Sequence, residues 1–227
     1  MTSHVRSHLL IACAVCAASL AAPQLSAQSA PAASASASGI ARAKADSLRY
    51  PYTAADVQFM SGMIGHHSQA IVMSAWAPTH AADAAVQRLA ERIINAQQDE
   101  IATMQRWLAD RLQPVPDAKP MSQSMADVPG MAGMDHGAML MPGMLTDAQM
   151  KALDAARGWD FDRLFLTGMI QHHRGATSMV AKLFGTEGAG QDETIFKFAS
   201  DVNVDQTTEI ARMQRMLFEF ELKHASP

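Results

Sequence analysis

Residues 161–184 read FDRLFLTGMIQHHRGATSMVAKLF, and residues 57–76 read VQFMSGMIGHHSQAIVMSAW. The two align at an offset of 106, pairing Met63 with Met169, Ile64 with Ile170, His66 with His172, His67 with His173, Ala70 with Ala176 and Met73 with Met179. Another pair of segments aligns at an offset of 109, through Gln97 and Gln206, Glu100 and Glu209, Met104 and Met213, and Leu108 and Leu217. The three extra residues fall in the inter-helix loops, where length is cheap. The chain is an internal duplication of one two-segment unit.

Apolar spacing gives the type of each segment. Phe59, Met63, Ile64, Ala70 and Ile71 recur at helical intervals until Pro78, after a capping box begun by Thr53 and Asp56. Val86, Leu89, Ile93, Ile94, Ile101, Met104 and Leu108 predict a second helix from about Ala81 to Leu112, closed by Pro114 and Pro116. Thr146 and Gln149 open a short helix ending near Gly158. No stretch alternates as a half-buried strand does. A helical hairpin with one apolar face cannot bury that face alone, so two of them predict an all-α four-helix bundle. The hairpins are expected at 50–113 and 146–224, joined by a Met/His/Pro/Gly-rich linker at 114–145.

The N-terminal region reads as an address. Arg6, an apolar run from Leu9 to Ala22 and the small residues near Ser26 and Ala27 describe a cleavable signal peptide over 1–27. Its apolar run is too short to span a bilayer, so no membrane span is expected after cleavage. Cys13 and Cys16 both lie in it, which leaves the mature chain without a thiol. Residues 28–49, rich in Ala and Ser and without an apolar period, read as a flexible tether. A periplasmic or secreted location follows.

The chain of 227 residues carries 18 Lys and Arg against 22 Asp and Glu, a net charge of −4 that offers nucleic acid no broad attraction. Its anomaly is 17 Met, eight of them between Met121 and Met150. On a helix, Met63, His66 and His67 stand at i, i+3 and i+4, so thioether and imidazole share a face that Met73 extends by two turns. Met169, His172, His173 and Met179 repeat the arrangement. Thioether with imidazole suits Cu(I), or Ag(I) as its mimic, better than it suits Mg or Ca. The plainer alternative makes these Met core residues and the His pairs hydrogen-bonded at a bundle end. Glu100 and Glu209 either orient the His pairs or are solvated charges. The Glu-x-x-His pattern of di-iron bundles is absent. In the linker, Met131, Met134, His136, Met139, Met141 and Met144 follow no periodic face, and read as soft-metal ligands or as an adhesive Met surface.

Residues 62–74 (GMIGHHSQAIVMS) with 96–108 (AQQDEIATMQRWL), and residues 161–183 with 209–217 (EIARMQRML), resemble the bacterial domain-of-unknown-function family 305 (DUF305). This is a ferritin-like helical group that includes CopM-type periplasmic copper-binding proteins. The resemblance covers about residues 50–220. It implies Cu(I) and Ag(I) binding through Met63, His66, His67, Met73 and Met104, and through Met169, His172, His173, Met179 and Met213. The second copy departs from the first in the helix over 196–210, and Met216 stands where Trp107 stood.

The function expected is copper sequestration or transfer in metal tolerance, without catalysis, with copper ions and a donor or acceptor protein as partners. No Ser/His/Asp set, phosphate loop or H-E-x-x-H motif occurs in the mature chain. The alternatives are a metal-dependent periplasmic redox enzyme and a helical module that grips a partner.

Overall fold

The duplicated motif lies on two long helices that meet at their middles. The computed structural model describes residues 34–49, 51–119 and 140–224; the expected signal peptide and Met131, Met134, His136 and Met139 lie outside that set. Among the described residues the chain is all-helical: α1 Ala37–Arg49, α2 Ala54–Ala75, α3 Ala77–His80, α4 Ala84–Asp110, α5 Asp147–Ala155, α6 Trp159–Phe184 and α7 Glu193–His224. Helices α2 and α4 form one hairpin and α6 and α7 the other, and α2 packs on α6.

Local chemistry sets the ends. Thr53 Oγ1 accepts from Asp56 N while Asp56 Oδ2 accepts from Thr53 N at 2.6 Å, the reciprocal box that starts α2. Asp56 Oδ1 also accepts from Gly190 N at 2.7 Å, tying this cap to the turn between α6 and α7. Thr146 and Gln149 build the same box on α5. Asp83 caps α4 by accepting from Ala85 N at 2.6 Å. Pro78 sits in the first turn of α3, where its missing N–H costs nothing, so the expected stop at Pro78 becomes a one-turn helix between α2 and α4.

The region 28–49 is corrected in part. Residues 37–49 form α1, whose Ala-rich composition favours helix and whose start is held by Ser36 Oγ accepting from Gly39 N at 3.0 Å. Gly39 and Ala43 are buried, and a Cβ on Gly39 would collide with the Asp110 carboxylate. Missing a broad apolar stripe, α1 docks through small residues alone, and periodicity does not register such contacts.

Two apolar half-cores fill the bundle. One joins Phe59, Met63 and Ile64 of α2 to Val180 and Leu183 of α6, with Met104 and Leu108 from α4. The other joins Ala70 and Met73 of α2 to Phe165, Leu166 and Met169 of α6, with Met213 from α7. The start of α2 thus meets the end of α6, so these helices run antiparallel and cross near His66 and His172. This is an isologous contact inside one chain, as a two-fold dimer would make it. Both His pairs lie between the half-cores.

Residues 140–146 form a strap over that crossing. Gln69 clamps it as a second backbone would, Nε2 donating to Leu145 O at 2.9 Å and Oε1 accepting from Leu145 N at 2.7 Å. On α6, Gly175 gives the strap room, because a Cβ there would collide with the Pro142 carbonyl. Gln171 Nε2 reaches Gly143 O and Met144 O at 3.3 Å each. The carboxy-terminal end of the linker is thereby docked, and Met144 and Leu145 are buried.

Gly175→Ala is expected to destabilise the protein by about 1–3 kcal/mol in chemical denaturation, the range for overpacking a tight site. Gly62→Ala should cost less, because its Cβ would meet the ends of flexible side chains, the Met141 sulfur at 3.2 Å and the Met179 methyl at 3.8 Å, rather than backbone.

Candidate metal centre

Four imidazoles are buried where α2 and α6 cross. His66, His67, His172 and His173 each have no solvent exposure. The rings of His66 and His172 lie 3.9 Å apart between centroids, across the pseudo-two-fold axis. Within each pair the centroids are 6.3 and 6.2 Å apart.

Hydrogen bonds decide which nitrogen of each ring carries the proton. His66 Nε2 lies 3.0 Å from Pro142 O, and His172 Nε2 lies 2.9 Å from His66 O. A carbonyl oxygen only accepts, so both Nε2 atoms donate and the opposite Nδ1 atoms hold lone pairs. His173 Nε2 likewise donates to Glu209 Oε2 at 2.7 Å. His67 Nε2 stands 2.7 Å from Glu100 Oε2, out of line for a hydrogen bond. All four Nδ1 atoms are buried without a hydrogen-bond partner. Such orphans are costly unless something else uses them.

His66 and His172 are held neutral. Burial pushes His66 down to about 3, with the neighbouring charge of His67 and then His173 acting in the same direction and the Pro142 carbonyl opposing. Burial also holds His172 well below the ordinary histidine value, and proximity to His66, His173 and His67 adds to the effect. A neutral imidazole is the form that ligates metal.

The thioethers flank this layer. Met63, Met73, Met104, Met169 and Met213 are fully buried in the two half-cores, and Met179 is half-buried. The Met73 methyl reaches within 3.3 Å of where a Cβ on Gly168 would stand, and the Met179 methyl within 3.8 Å of the equivalent on Gly62. Met141 packs over Gly62 and Gly65, beside His66 in the chain. Met63 and Met104 lie in one half-core and Met73, Met169 and Met213 in the other, on either side of the crossing, while Met179 packs against the first and Met141 of the strap lies over α2. Among the described residues no three His, Cys, Asp or Glu are grouped so as to hold a metal ion.

Several residues escaped the sequence reading. Gln69 and Gly175 are equivalent at the offset of 106, as are Gly65 and Gln171, and all four shape the strap or its seat. These mismatches in an otherwise close internal alignment were the available signal. The Pro142 carbonyl had none, since any residue offers one. Gln97 and Gln206 are buried with their Oε1 atoms unpartnered, another duplicated pair that face-sharing alone did not single out as unsatisfied.

A model of the family described as "Domain of unknown function (DUF305)" matches residues 56–217. The chain belongs to this family. Within it, a DUF305 protein of Streptomyces coelicolor superposes with a TM-score of 0.58 at 30% identity, covering 73% of this chain and 92% of that one. CopM in its Cu(I)-bound form gives a TM-score of 0.53 at 28% identity over 73% and 96% of the two chains. CopM has also been solved in Cu(II)-bound and Ag-bound forms. An uncharacterised protein of Acanthamoeba polyphaga mimivirus is 45% identical over 56 residues, which is 25% of this chain and 37% of that protein's length. These DUF305 neighbours are metal-binding or uncharacterised proteins. No helix among the described residues is long and apolar enough to cross a membrane.

Acid should destabilise the metal-free protein through the neutral imidazoles. His66 and His172 have folded values below the unfolded 6.5, so their contribution is complete above pH 6.5 and is lost as pH falls below it, for His66 down to about 3. The expected slope is about 1.4 kcal/mol per pH unit per histidine. Asp162 has the opposite sign: burial raises it to about 6, so its contribution is present below pH 4 and is lost as pH rises through 6. Asp162→Asn should therefore steepen the acid loss between pH 4 and 6, measured as unfolding free energy against pH.

Proposed function

We propose that this DUF305 protein is an exported carrier of Cu(I), and of Ag(I) as its mimic, that sequesters or transfers copper without catalysing a reaction. One observation carries the reading: four buried imidazoles, each with a Nδ1 lacking a partner, stand between thioethers at the centre of a duplicated bundle. Their protons are placed on the far side of the ring, which leaves nitrogen lone pairs in a dry interior. Sulfur and nitrogen donors with no thiolate fit a soft monovalent ion in an oxidising compartment, where Cys would be lost to disulfides.

The donor set we assign is Met63, His66, His67, Met73 and Met104 with Met169, His172, His173, Met179 and Met213. Met141 and Met144 approach from the strap, and Met131, Met134, His136 and Met139 are proposed as a further group of soft ligands in the linker. Glu209 holds His173 by its Nε2 and so fixes which nitrogen faces inward; Glu100 stands in the same place beside His67. The copper-bound and silver-bound forms of CopM, a structural neighbour at about the same identity as the other DUF305 proteins, support the choice of ion. Residues 1–27 are assigned as the signal peptide that sends the chain to the periplasm or beyond.

The test is a titration with Cu(I) against a chromogenic chelator. Stoichiometric uptake is expected, with loss of the bundle-bound ion in the double substitution His66→Ala and His172→Ala. Glu209→Gln should weaken binding by about tenfold to a hundredfold through the orientation of His173. Metal at about a hundred times its Kd should stabilise the fold by about 2.7 kcal/mol. Coincident thermal unfolding of metal-free and saturated protein would overturn the assignment.

A further inference from the structure

The four imidazoles have no solvent exposure, so an ion needs a way to reach them. The strap closes one side of the crossing. Its Pro142 carbonyl sits on His66, its backbone presses on Gly175, and Gln69 holds it by two buried hydrogen bonds. The opposite side is different. Helices α4 and α7 hardly approach each other at backbone level, and the seam between them opens into a groove of about 330 Å³.

The lining of that groove changes with depth. Asp205, Thr208, Arg92, Arg212 and Arg215 are exposed at the rim. Glu100 and Glu209 are half-buried below them, with side-chain exposures of 19% and 25%. Gln97 and Gln206 are buried at the floor with unpartnered Oε1 atoms. Beneath the carboxylates lie His67 and His173, each with Nε2 2.7 Å from its glutamate. His67 Nε2 makes no aligned hydrogen bond there, so a fully buried, unpartnered nitrogen faces the groove's carboxylate.

We propose that the α4/α7 seam is the route by which a monovalent soft cation reaches and leaves the buried imidazoles, with Glu100, Glu209, Gln97 and Gln206 as its transit ligands. The proposal rests on the copper-carrier reading above. Oxygen donors hold Cu(I) and Ag(I) weakly beside nitrogen and sulfur, so an ion met by them moves on rather than staying. Glu100 and Glu209 lie deeper in the seam than the three rim arginines, so a cation that has passed the rim meets carboxylates. Each glutamate touches the outer nitrogen of a ring whose inner nitrogen faces the site. The rival door is the pocket of about 210 Å³ lined by Gln58, Gly62, Met141 and Met179 on the strap side.

The experiment is stopped-flow transfer of Cu(I) from a chromogenic chelate to the metal-free mature protein, and back to excess chelator. Thr208→Trp plugs the seam from an exposed position, and Ala96→Trp repeats the plug from the facing helix. Gln58→Trp plugs the rival pocket. Both seam variants are expected to slow transfer in each direction by about tenfold, an added barrier near 1.4 kcal/mol, with the equilibrium endpoint unchanged. Gln58→Trp should stay within about twofold of the parent rate. Parent-like rates in both seam variants, slowing confined to Gln58→Trp, or equal slowing in all three would overturn the route. If the parent protein itself takes up no Cu(I), the carrier reading has failed, which is a different result.

Discussion

Removing four imidazoles from water is the constraint around which the rest of this bundle is arranged. A buried ring N–H left without an acceptor would cost more than a helix cap or a packed methyl contributes, so the interior has to bring acceptors to the rings. The protein meets this with one carbonyl from the strap, one carbonyl from the facing helix, and two glutamates at the α4/α7 seam. Each of those acceptors takes a Nε2 proton or stands against it. What they leave over is the same on every ring, a Nδ1 with nothing to bind.

The layered core follows from the same requirement. Polar groups gathered at one level leave the levels above and below free to be wholly apolar, and the two half-cores are so composed. The buried methionines therefore serve twice. They fill irregular space beside large aromatic residues such as Phe161 and Phe165, and they place sulfur against the imidazole layer. Packing and the proposed ligation are not competing descriptions of Met63 or Met169, because a buried thioether at the boundary between layers can serve both.

Much of this was legible before any coordinates. The duplication, the helical class and the capping box at Thr53 rest on spacing that local chemistry dictates, and DUF305 was legible as a resemblance carried by the repeated His-His motif. The His pairs were legible because two rare residues recur side by side at the same offset. The docking of α1 was not, since Gly39 and Ala43 contact α4 through absence of bulk, and small residues leave no apolar signature. Nor was the strap. Its contacts run through backbone carbonyls and a glutamine standing in for a backbone, and residues 140–146 read simply as part of a Gly/Pro-rich linker. The role of Glu100 and Glu209 stood open in the sequence between orienting group and solvated charge. Glu209 accepts from a buried ring at 2.7 Å, as an orienting group would, whereas Glu100 stands at the same distance from His67 without an aligned hydrogen bond.

The pairing of Gln69 with Gly175 has a consequence for how such a molecule can be built. The two positions are equivalent in the duplication, yet one grips the strap with a long side chain and the other yields to it by having none. A symmetric dimer of single hairpins could not offer both, because every copy would have to be clamp and clearance at once. Fusion of the two units into one chain removes that contradiction. It lets a single crossing segment cap a two-fold site that, by its own symmetry, has no place for exactly one.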